Sequence, residues 1–223
     1  MAREEEDDDV VCLDPSFFIN DNYQLTRFTF GSQVLELYCL HSASTDFDLT
    51  GQLVWPGAEL LNDYLSKNAE MLQGCSVIEL GSGVGITGML CSRFCSKVVM
   101  TDHNDEVLKI LRRNIELHRS SQDSLCSAGL EAEKLEWGNS DQLNDILQRH
   151  PGGFDLVLGA DIYILLCNPE KCKFILAYVS RAKVMDDMVI REAYQHGLHV
   201  SEVAGTRATV RFLQGVIYEI TCR

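Results

Sequence analysis

The chain has 223 residues, 46% of them hydrophobic, and a formal net charge of −14. This length suits one domain with a single sizeable core, and no run of about 18 apolar residues is present that could cross a membrane. The acidic balance disfavours nucleic acid, whose binding depends on clusters of Lys and Arg, and suits a basic protein partner.

The N-terminus contains six consecutive acids, Glu4 to Asp9. Like charges in a row repel one another, so we expect residues 1–12 to be an acidic disordered tail and residues 13–223 to form a single domain. Within that domain we separate a β extension, 13–50, from a core, 51–223. The acidic start is unlike the positively charged start of a secretory signal. The cysteines are scattered, which is typical of reduced thiols, and they lack the spacing of zinc ligands. We therefore expect an intracellular monomer, cytoplasmic or nuclear, without a metal site.

The first elements show two different periods. Apolar and polar residues alternate over 26–30 and 33–38, with Gly31-Ser32 between them, which predicts a β-hairpin. Apolar residues at helical spacing follow Pro56 and predict a helix over 57–68.

Strand and helix patterns then alternate along the chain. The predicted strands are 76–80, 97–101, 130–137, 155–159 and 174–181. The predicted helices are 85–94, 106–118 and 185–196. A short strand at 197–202 precedes two strands, 208–212 and 216–221, on either side of Gln214-Gly215. This order predicts an α/β fold with a mostly parallel sheet and an antiparallel ending.

A glycine turn follows the first strand of this sheet, at Gly81, Ser82, Gly83 and Gly85. Glycine lets the backbone approach a ligand closely, and the helix that follows offers unpaired N–H groups. Asp102 ends the next strand, about 20 positions after Gly81, which is the spacing of an acid that binds ribose hydroxyls. These residues predict a site for a nucleoside-containing cofactor.

The glycines allow two cofactor classes. Gly83, Gly85 and Gly88 match a dinucleotide fingerprint, which keeps a nicotinamide or flavin enzyme open. The register that starts at Gly81 fits better, because it directly follows the strand. Glu79 would attract the sulfonium and ammonium of S-adenosylmethionine and repel a pyrophosphate, unless it is only a partly solvated acid at the strand end.

Several short motifs occur in order along the chain. They are Trp55-Pro56, Glu79-Leu80-Gly81-Ser82-Gly83, Thr101-Asp102, Trp137-Gly138 and Gly159-Ala160-Asp161. Together they resemble the seven-β-strand, S-adenosylmethionine-dependent protein-lysine methyltransferases (methyltransferase family 16), relatives of calmodulin-lysine and chaperone-lysine methyltransferases. The resemblance covers roughly residues 30 to 220. It implies a Rossmann-like class I methyltransferase with a seven-stranded sheet, methyl transfer to a protein lysine and S-adenosylhomocysteine as product.

Four further residues are candidates for the site outside the glycine turn, Trp55 from the resemblance and the others from their positions after predicted strands. Trp55 is expected at the amino-acid end of the cofactor, although it could instead staple the start of a helix. Trp137 could cover the adenine or be a core aromatic. His103 is expected near the ribose or adenine, or on the surface, and Ala160 leaves room in the site.

Asp161 and Tyr163 are the candidate catalytic residues. Asp161 follows a buried strand, at the edge where open α/β sheets bind ligands, and its carboxylate could orient a lysine ammonium. In the resembling family this acid begins an Asp-x-x-Tyr motif, whereas Tyr163 lies two positions after Asp161 and Ile164 occupies the family position. A shift of one residue would turn Tyr163 to the opposite face of an extended segment.

Three functions remain compatible with the sequence. The first is a protein-lysine methyltransferase, and the second is a methyltransferase that acts on arginine or a small molecule. The third is a non-catalytic cofactor-binding interaction protein, which the shifted tyrosine and the compact stretch between Asp161 and Lys173 keep open.

Overall fold

A computed structural model of the chain describes residues 22–42, 50–120, 129–162, 173–181 and 183–222. The predicted acidic tail and Tyr163 lie outside these residues. No helix in the described ranges is both long and apolar enough to cross a bilayer.

The described residues form ten strands and five α-helices. The strands are β1 (Gln24–Phe30), β2 (Gln33–Cys39), β3 (Ser76–Leu80), β4 (Lys97–Asp102), β5 (Gly129–Lys134), β6 (Leu156–Ala160), β7 (Lys173–Val179), β8 (Leu198–Glu202), β9 (Ala208–Val210) and β10 (Leu213–Cys222). The helices are α1 (Pro56–Lys67), α2 (Ile86–Cys91), α3 (Asp105–Ser120), α4 (Ser140–Arg149) and α5 (Lys183–Gln195).

The central sheet has the strand order β5-β4-β3-β6-β7-β10-β8, and β9 pairs with β10. The strands from β5 to β7 run parallel, whereas β10 is antiparallel to β7, β8 and β9. This arrangement confirms the predicted α/β fold with an antiparallel ending, and β9 is a short strand in addition to the expected seven.

Successive residues of the central strands belong to different cores. Val77 and Val98 pack in a larger cluster with α1, α2, α3 and the hairpin, whereas Ile78 and Val99 pack in a second cluster with α4 and α5. Side chains alternate between the two faces of a strand, so the sheet is covered on both sides. This layering leaves the carboxyl ends of β3, β4 and β6 at one open edge.

The N-terminal hairpin forms as predicted, with β1 and β2 antiparallel around Gly31-Ser32. Leu35, Leu37 and Cys39 of β2 are buried in the larger cluster. Just after α2, Arg93 donates to the side chain of Gln33 at 2.6 Å. One face of the hairpin therefore packs into the larger cluster.

Helix α4 was missed by the sequence patterns, and the preceding strand was predicted too long. Strand β5 ends at Lys134 rather than at 137, and Asn139 caps α4 by accepting a hydrogen bond from the Gln142 N–H at 3.1 Å. Only Ile146 of α4 is fully buried. The helix therefore presents a narrow apolar stripe to the sheet, although its apolar and polar residues are clearly separated around the helix.

The predicted C-terminal turn at Gln214-Gly215 was wrong. The chain reverses at Arg211-Phe212, because Val210 pairs with Leu213, and Gly215 lies within β10. A Cβ at Gly215 would lie 2.7 Å from a methyl carbon of Leu60 in α1. This glycine therefore permits close packing of α1 on the sheet rather than a turn.

Candidate functional site

The glycine turn after β3 has the backbone that its sequence predicts. Gly81, Gly83 and Gly85 all have positive φ, at 63°, 53° and 90°. A Cβ at Gly83 would lie 2.6 Å from the carbonyl oxygen of Gly51. The Ser82 N–H donates to the carbonyl of Thr101 at 2.8 Å and so joins the turn to β4. Both conformation and close approach require glycine here.

Gly85 has a different structural role from Gly81 and Gly83. It is the N-cap of α2, and a Cβ there would lie 2.4 Å from a methyl carbon of Leu111 in α3. Gly85 therefore shapes the turn and its packing against α3, and it does not line the cavity described below.

Glu79 is buried beneath the turn, with 3% of its surface exposed. Its Oε2 accepts a hydrogen bond from the Gly88 N–H of α2 at 3.0 Å. Burial raises the pKa of Glu79 to about 7, although hydrogen bonds from Ser82, Thr87 and Gly88 act in the opposite direction. Glu79 is thus not the partly solvated acid that the sequence left open.

Asp102 lies at the end of β4 and faces the same turn. Its Oδ2 accepts a hydrogen bond from the Gly83 N–H at 3.1 Å, and its Oδ1 accepts one from the Asn104 N–H at 3.2 Å. The half-exposed ring of His103 lies 3.4 Å from Oδ1. A carboxylate has about four lone-pair sites, so Asp102 retains capacity for hydroxyl donors of a ribose.

A cavity of about 390 Å³ opens at this edge of the sheet, within the range of small-molecule sites. The predicted site residues that line it are Trp55, Glu79, Gly81, Ser82, Gly83, Asp102, His103, Trp137, Ala160 and Asp161. The sequence patterns assigned no role in the site to Thr50, Gly51 or Arg181, which also line it.

Trp137 is on the open side of this cavity. It follows β5 in a turn, 50% of it is exposed, and its ring carbon Cζ2 lies 3.4 Å from where a Cβ of Gly81 would be. Trp137 is therefore not a core aromatic, and its ring is available to a planar ligand.

Asp161 has a strained and fully engaged conformation. Its φ is +54°, which is uncommon for a residue other than glycine, and its N–H donates to the carbonyl of Ala177 at 2.9 Å. Its carboxylate accepts from the Gly57 N–H at 2.9 Å and from the Val179 N–H at 3.1 Å. The start of α1 and the end of β7 thus hold Asp161 in place.

Arg181 and Trp55 complete this side of the cavity. The Arg181 guanidinium lies 3.0 Å from Oδ2 of Asp161 and 4.3 Å from the centre of the Trp55 ring. The Trp55 indole N–H donates to the carbonyl of Thr50 at 2.8 Å. The guanidinium therefore contacts both a carboxylate and an aromatic face.

No group of three His, Cys, Asp or Glu side chains in the part of the chain that the structure describes could hold a metal ion. The lining of the cavity instead offers carboxylates, backbone N–H groups and aromatic rings.

An open, mostly parallel sheet with a glycine turn after one strand and an acid after the next defines a Rossmann-like fold, a class in which nucleoside cofactors bind at the carboxyl edge of the sheet. The sequence profile of the lysine methyltransferase family matches residues 40–182, which is more than half of the chain. The chain belongs to this family.

Individual relatives are similar over about half of the chain. Protein N-lysine methyltransferase METTL21A of Mus musculus is 33% identical over 51% of this chain and 48% of its own length. Calmodulin-lysine N-methyltransferase of Arabidopsis thaliana is 31% identical over 52% of this chain and 36% of its own length. Histone-arginine methyltransferase METTL23 of Mus musculus is 32% identical over 58% of this chain and 46% of its own length. The matches span less than half the length of these relatives.

Among solved structures, the tRNA m1G37 methyltransferase of M. jannaschii aligns with a TM-score of 0.50 at 12% identity. The alignment covers 92% of this chain and 56% of that one. At this identity the likeness supports the shared fold alone.

Proposed function

We propose that the protein is an S-adenosylmethionine-dependent methyltransferase that modifies a lysine side chain of a protein substrate. The main support for this proposal is the cavity at the carboxyl edge of the sheet, which is lined by buried Glu79, the glycine turn and Asp102. The chain that forms this cavity belongs to the lysine methyltransferase family. The shared family supports lysine as the acceptor.

The residues around the cavity fit S-adenosylmethionine. Gly83 packs against the carbonyl of Gly51, where a Cβ would not fit, and so keeps the turn close along the cavity wall. Asp102, bonded to the Gly83 N–H, is our proposed acceptor for the ribose hydroxyls. Trp137 and His103 line the same cavity as Asp102 and would flank the adenine. Glu79 favours the cationic end of the cofactor, because an ionised buried carboxylate gains a counter-charge there.

The bound cofactor would supply an activated methyl group on a sulfonium. A lysine with a pKa near 10.4 is mostly protonated at neutral pH, so its ammonium must first release a proton to water at the open cavity before the neutral amine can attack. We propose that Asp161 orients the entering ammonium. Holding the amine in line with the methyl carbon at about 3 Å supplies much of the rate by positioning. No covalent nucleophile is needed. Tyr163 remains a candidate for the same role.

The substrate is proposed to be a basic protein segment, because the net charge of −14 raises the encounter rate with a partner of opposite sign. We further propose that the protein acts as a monomer in the cytoplasm or nucleus. The similarity to a histone-arginine methyltransferase gives protein arginine as a second candidate acceptor.

The test is a labelling experiment. The purified protein is incubated with methyl-labelled S-adenosylmethionine and a cell lysate, and the modified residues are located by mass spectrometry. We expect label on lysine. Label found only on arginine or on small molecules would contradict lysine as the acceptor and identify the group that is methylated instead.

Two further measurements separate catalysis from binding. Asp161→Ala is expected to lose methyl transfer while calorimetry still shows cofactor binding, and full activity of this variant would exclude the role of Asp161. Calorimetry with NAD is the matching control for the cofactor, since binding of NAD alone would overturn the proposal.

A further inference from the structure

We propose that Trp55 and Asp161 form a cation subsite that Arg181 fills in the free protein, and that the cationic side chain of the substrate displaces Arg181 from it. The inference rests on the proposed function, because it names the group that the subsite receives. It assigns Arg181 a role in substrate access.

The two partners of Arg181 are held independently of it. Asp161 keeps its hydrogen bonds from the Gly57 and Val179 N–H groups, and the indole of Trp55 stays bonded to Thr50. If Arg181 left, Oδ2 of Asp161 would retain a single hydrogen bond. A fixed carboxylate would then stand beside an uncovered aromatic face.

Arg181 is the movable member of the group. Its side chain is 47% exposed, whereas that of Asp161 is 7% exposed. An arginine so exposed can turn into solvent without unpacking the core, and a partly exposed ion pair contributes little to stability. The guanidinium can therefore exchange with another cation at small cost.

An ammonium and a guanidinium need the same surroundings. Each is stabilised by a carboxylate, and each is attracted to the face of a tryptophan within about 6 Å. Two cations in one small site repel each other, so occupancy is exclusive. The strained backbone of Asp161, with φ of +54°, fits a residue held in place for binding rather than for local stability.

The first experiment measures binding without methyl transfer. The indole N–H resonance of Trp55, assigned with Trp55→Phe, is followed by NMR during titration with methylammonium and with methylguanidinium. In Arg181→Ala the vacated subsite should bind these cations at millimolar concentrations and shift the resonance. In the wild type the shift should be at least about tenfold smaller at the same concentration, because the tethered guanidinium competes.

Matched variants test the specificity of this binding. Arg181→Ala combined with Asp161→Asn should abolish the shift, because the neutral amide cannot pair with the cation. Arg149→Ala removes a different exposed arginine–carboxylate pair, that with Glu133, and should behave as the wild type. An unshifted resonance in Arg181→Ala, or equal shifts in Arg149→Ala, would overturn the subsite.

The second experiment measures turnover. Arg181→Ala should lower the KM for the protein substrate severalfold, with the Kd for S-adenosylhomocysteine within about twofold of the wild type. Methylguanidinium should inhibit this variant in competition with the protein substrate. A raised KM for the protein substrate would contradict displacement of Arg181. A Kd for S-adenosylhomocysteine that rises about tenfold or more would also overturn the proposal, because it would show that Arg181 contacts the carboxylate of the cofactor instead.

The two proposals fail in different ways. If the NMR titration succeeds and labelled cofactor modifies no lysine, the subsite stands and the acceptor is wrong. If lysine is modified and the titration fails, the function stands and the role of Arg181 is wrong.

Discussion

Asn114 and Tyr38 exchange two hydrogen bonds across the interface between α3 and β2. The Tyr38 N–H donates to the side-chain oxygen of Asn114 at 2.7 Å, and the side-chain amide of Asn114 donates to the Tyr38 carbonyl at 2.9 Å. The same amide donates to the carbonyl of Val84 in the glycine turn at 3.0 Å. One buried side chain thus joins the hairpin, α3 and the turn.

Asn114→Ala should lower the free energy of unfolding by about 3 kcal/mol, because it leaves the partly buried N–H and carbonyl of Tyr38 and the buried carbonyl of Val84 without their partner. Urea denaturation measures this change. Glu116→Ala, on an exposed position of the same helix, is the control and should stay within about 0.5 kcal/mol of the wild type. Equal stability of the two variants would contradict the linking role of Asn114.

Asp102→Asn should weaken binding of S-adenosylmethionine roughly tenfold to a hundredfold, because a charge-assisted hydrogen bond to the ribose is worth about 1.5–3 kcal/mol. The amide oxygen can still accept from Gly83, so the turn should persist. Calorimetry gives the affinity. Asp105→Asn, exposed at the start of α3, is the matched control and should bind like the wild type. Unchanged affinity in Asp102→Asn would exclude the ribose contact.

Glu79 should make stability depend on pH. Burial raises its pKa from about 4.5 to about 7 in the folded protein, so the folded state holds a proton that the unfolded state has lost over this interval. The contribution of the protonated carboxyl is complete below about pH 4.5 and is lost as the pH rises to about 7, by a free energy of the order of 3 kcal/mol.

Glu79→Gln removes this titration. Urea denaturation at several values between about pH 5 and pH 8 should show wild-type stability falling relative to the variant, with no further divergence well above pH 7. Glu116→Gln changes an exposed acid on α3 and should follow the wild type. Parallel curves for the wild type and Glu79→Gln would show that the carboxyl titrates normally.

Gly57→Ala tests the attachment of Asp161 to α1. The added Cβ would lie 2.6 Å from the carboxyl carbon of Asp161, and that carboxylate is fixed by Val179 and the Gly57 N–H itself. We expect a loss of about 1–3 kcal/mol in stability, measured by urea denaturation. At Gly152 a Cβ meets nothing within 4 Å, so Gly152→Ala should be nearly neutral. A neutral Gly57→Ala would mean that Asp161 can shift.

Substitution in the turn between β9 and β10 should make the protein more stable. Arg211 and Phe212 both have positive φ, at 45° and 72°, and two-residue hairpins with this backbone prefer asparagine followed by glycine. The double variant Arg211→Asn with Phe212→Gly should be more stable by about 1 kcal/mol in thermal denaturation, despite loss of the exposed ion pair with Glu59. A lower melting temperature would show that this ion pair outweighs the strain.

The sequence predicted those features whose signals are local. Buried strands, the glycine turn and the acid that ends β4 are each encoded within a few neighbouring residues, and the parallel sheet followed from their alternation. The role of Gly215 could not be read in this way, because its small size serves the approach of Leu60 from a distant helix.

The candidate site likewise contains residues that local sequence identifies and residues that only contacts between distant segments bring into place. Asp102 was identifiable from its spacing to the turn, whereas Arg181 acquires its position from Asp161 and Trp55, which lie on other elements. Asp161 itself was identifiable as a strand-end acid, but its bond to Gly57 joins residues 104 positions apart. Only the assembled sheet brings these groups together.

The hydrogen bond between Asp102 and the Gly83 N–H has a consequence for binding. It joins two groups of the protein itself, so the protein's own contacts help to order the loop that would receive the cofactor. The entropic cost of ordering the binding loop then arises during folding rather than when the cofactor binds. Preorganisation of this kind couples affinity to local rigidity, and a substitution that loosens the loop should speed dissociation of the cofactor even where every contacting atom remains.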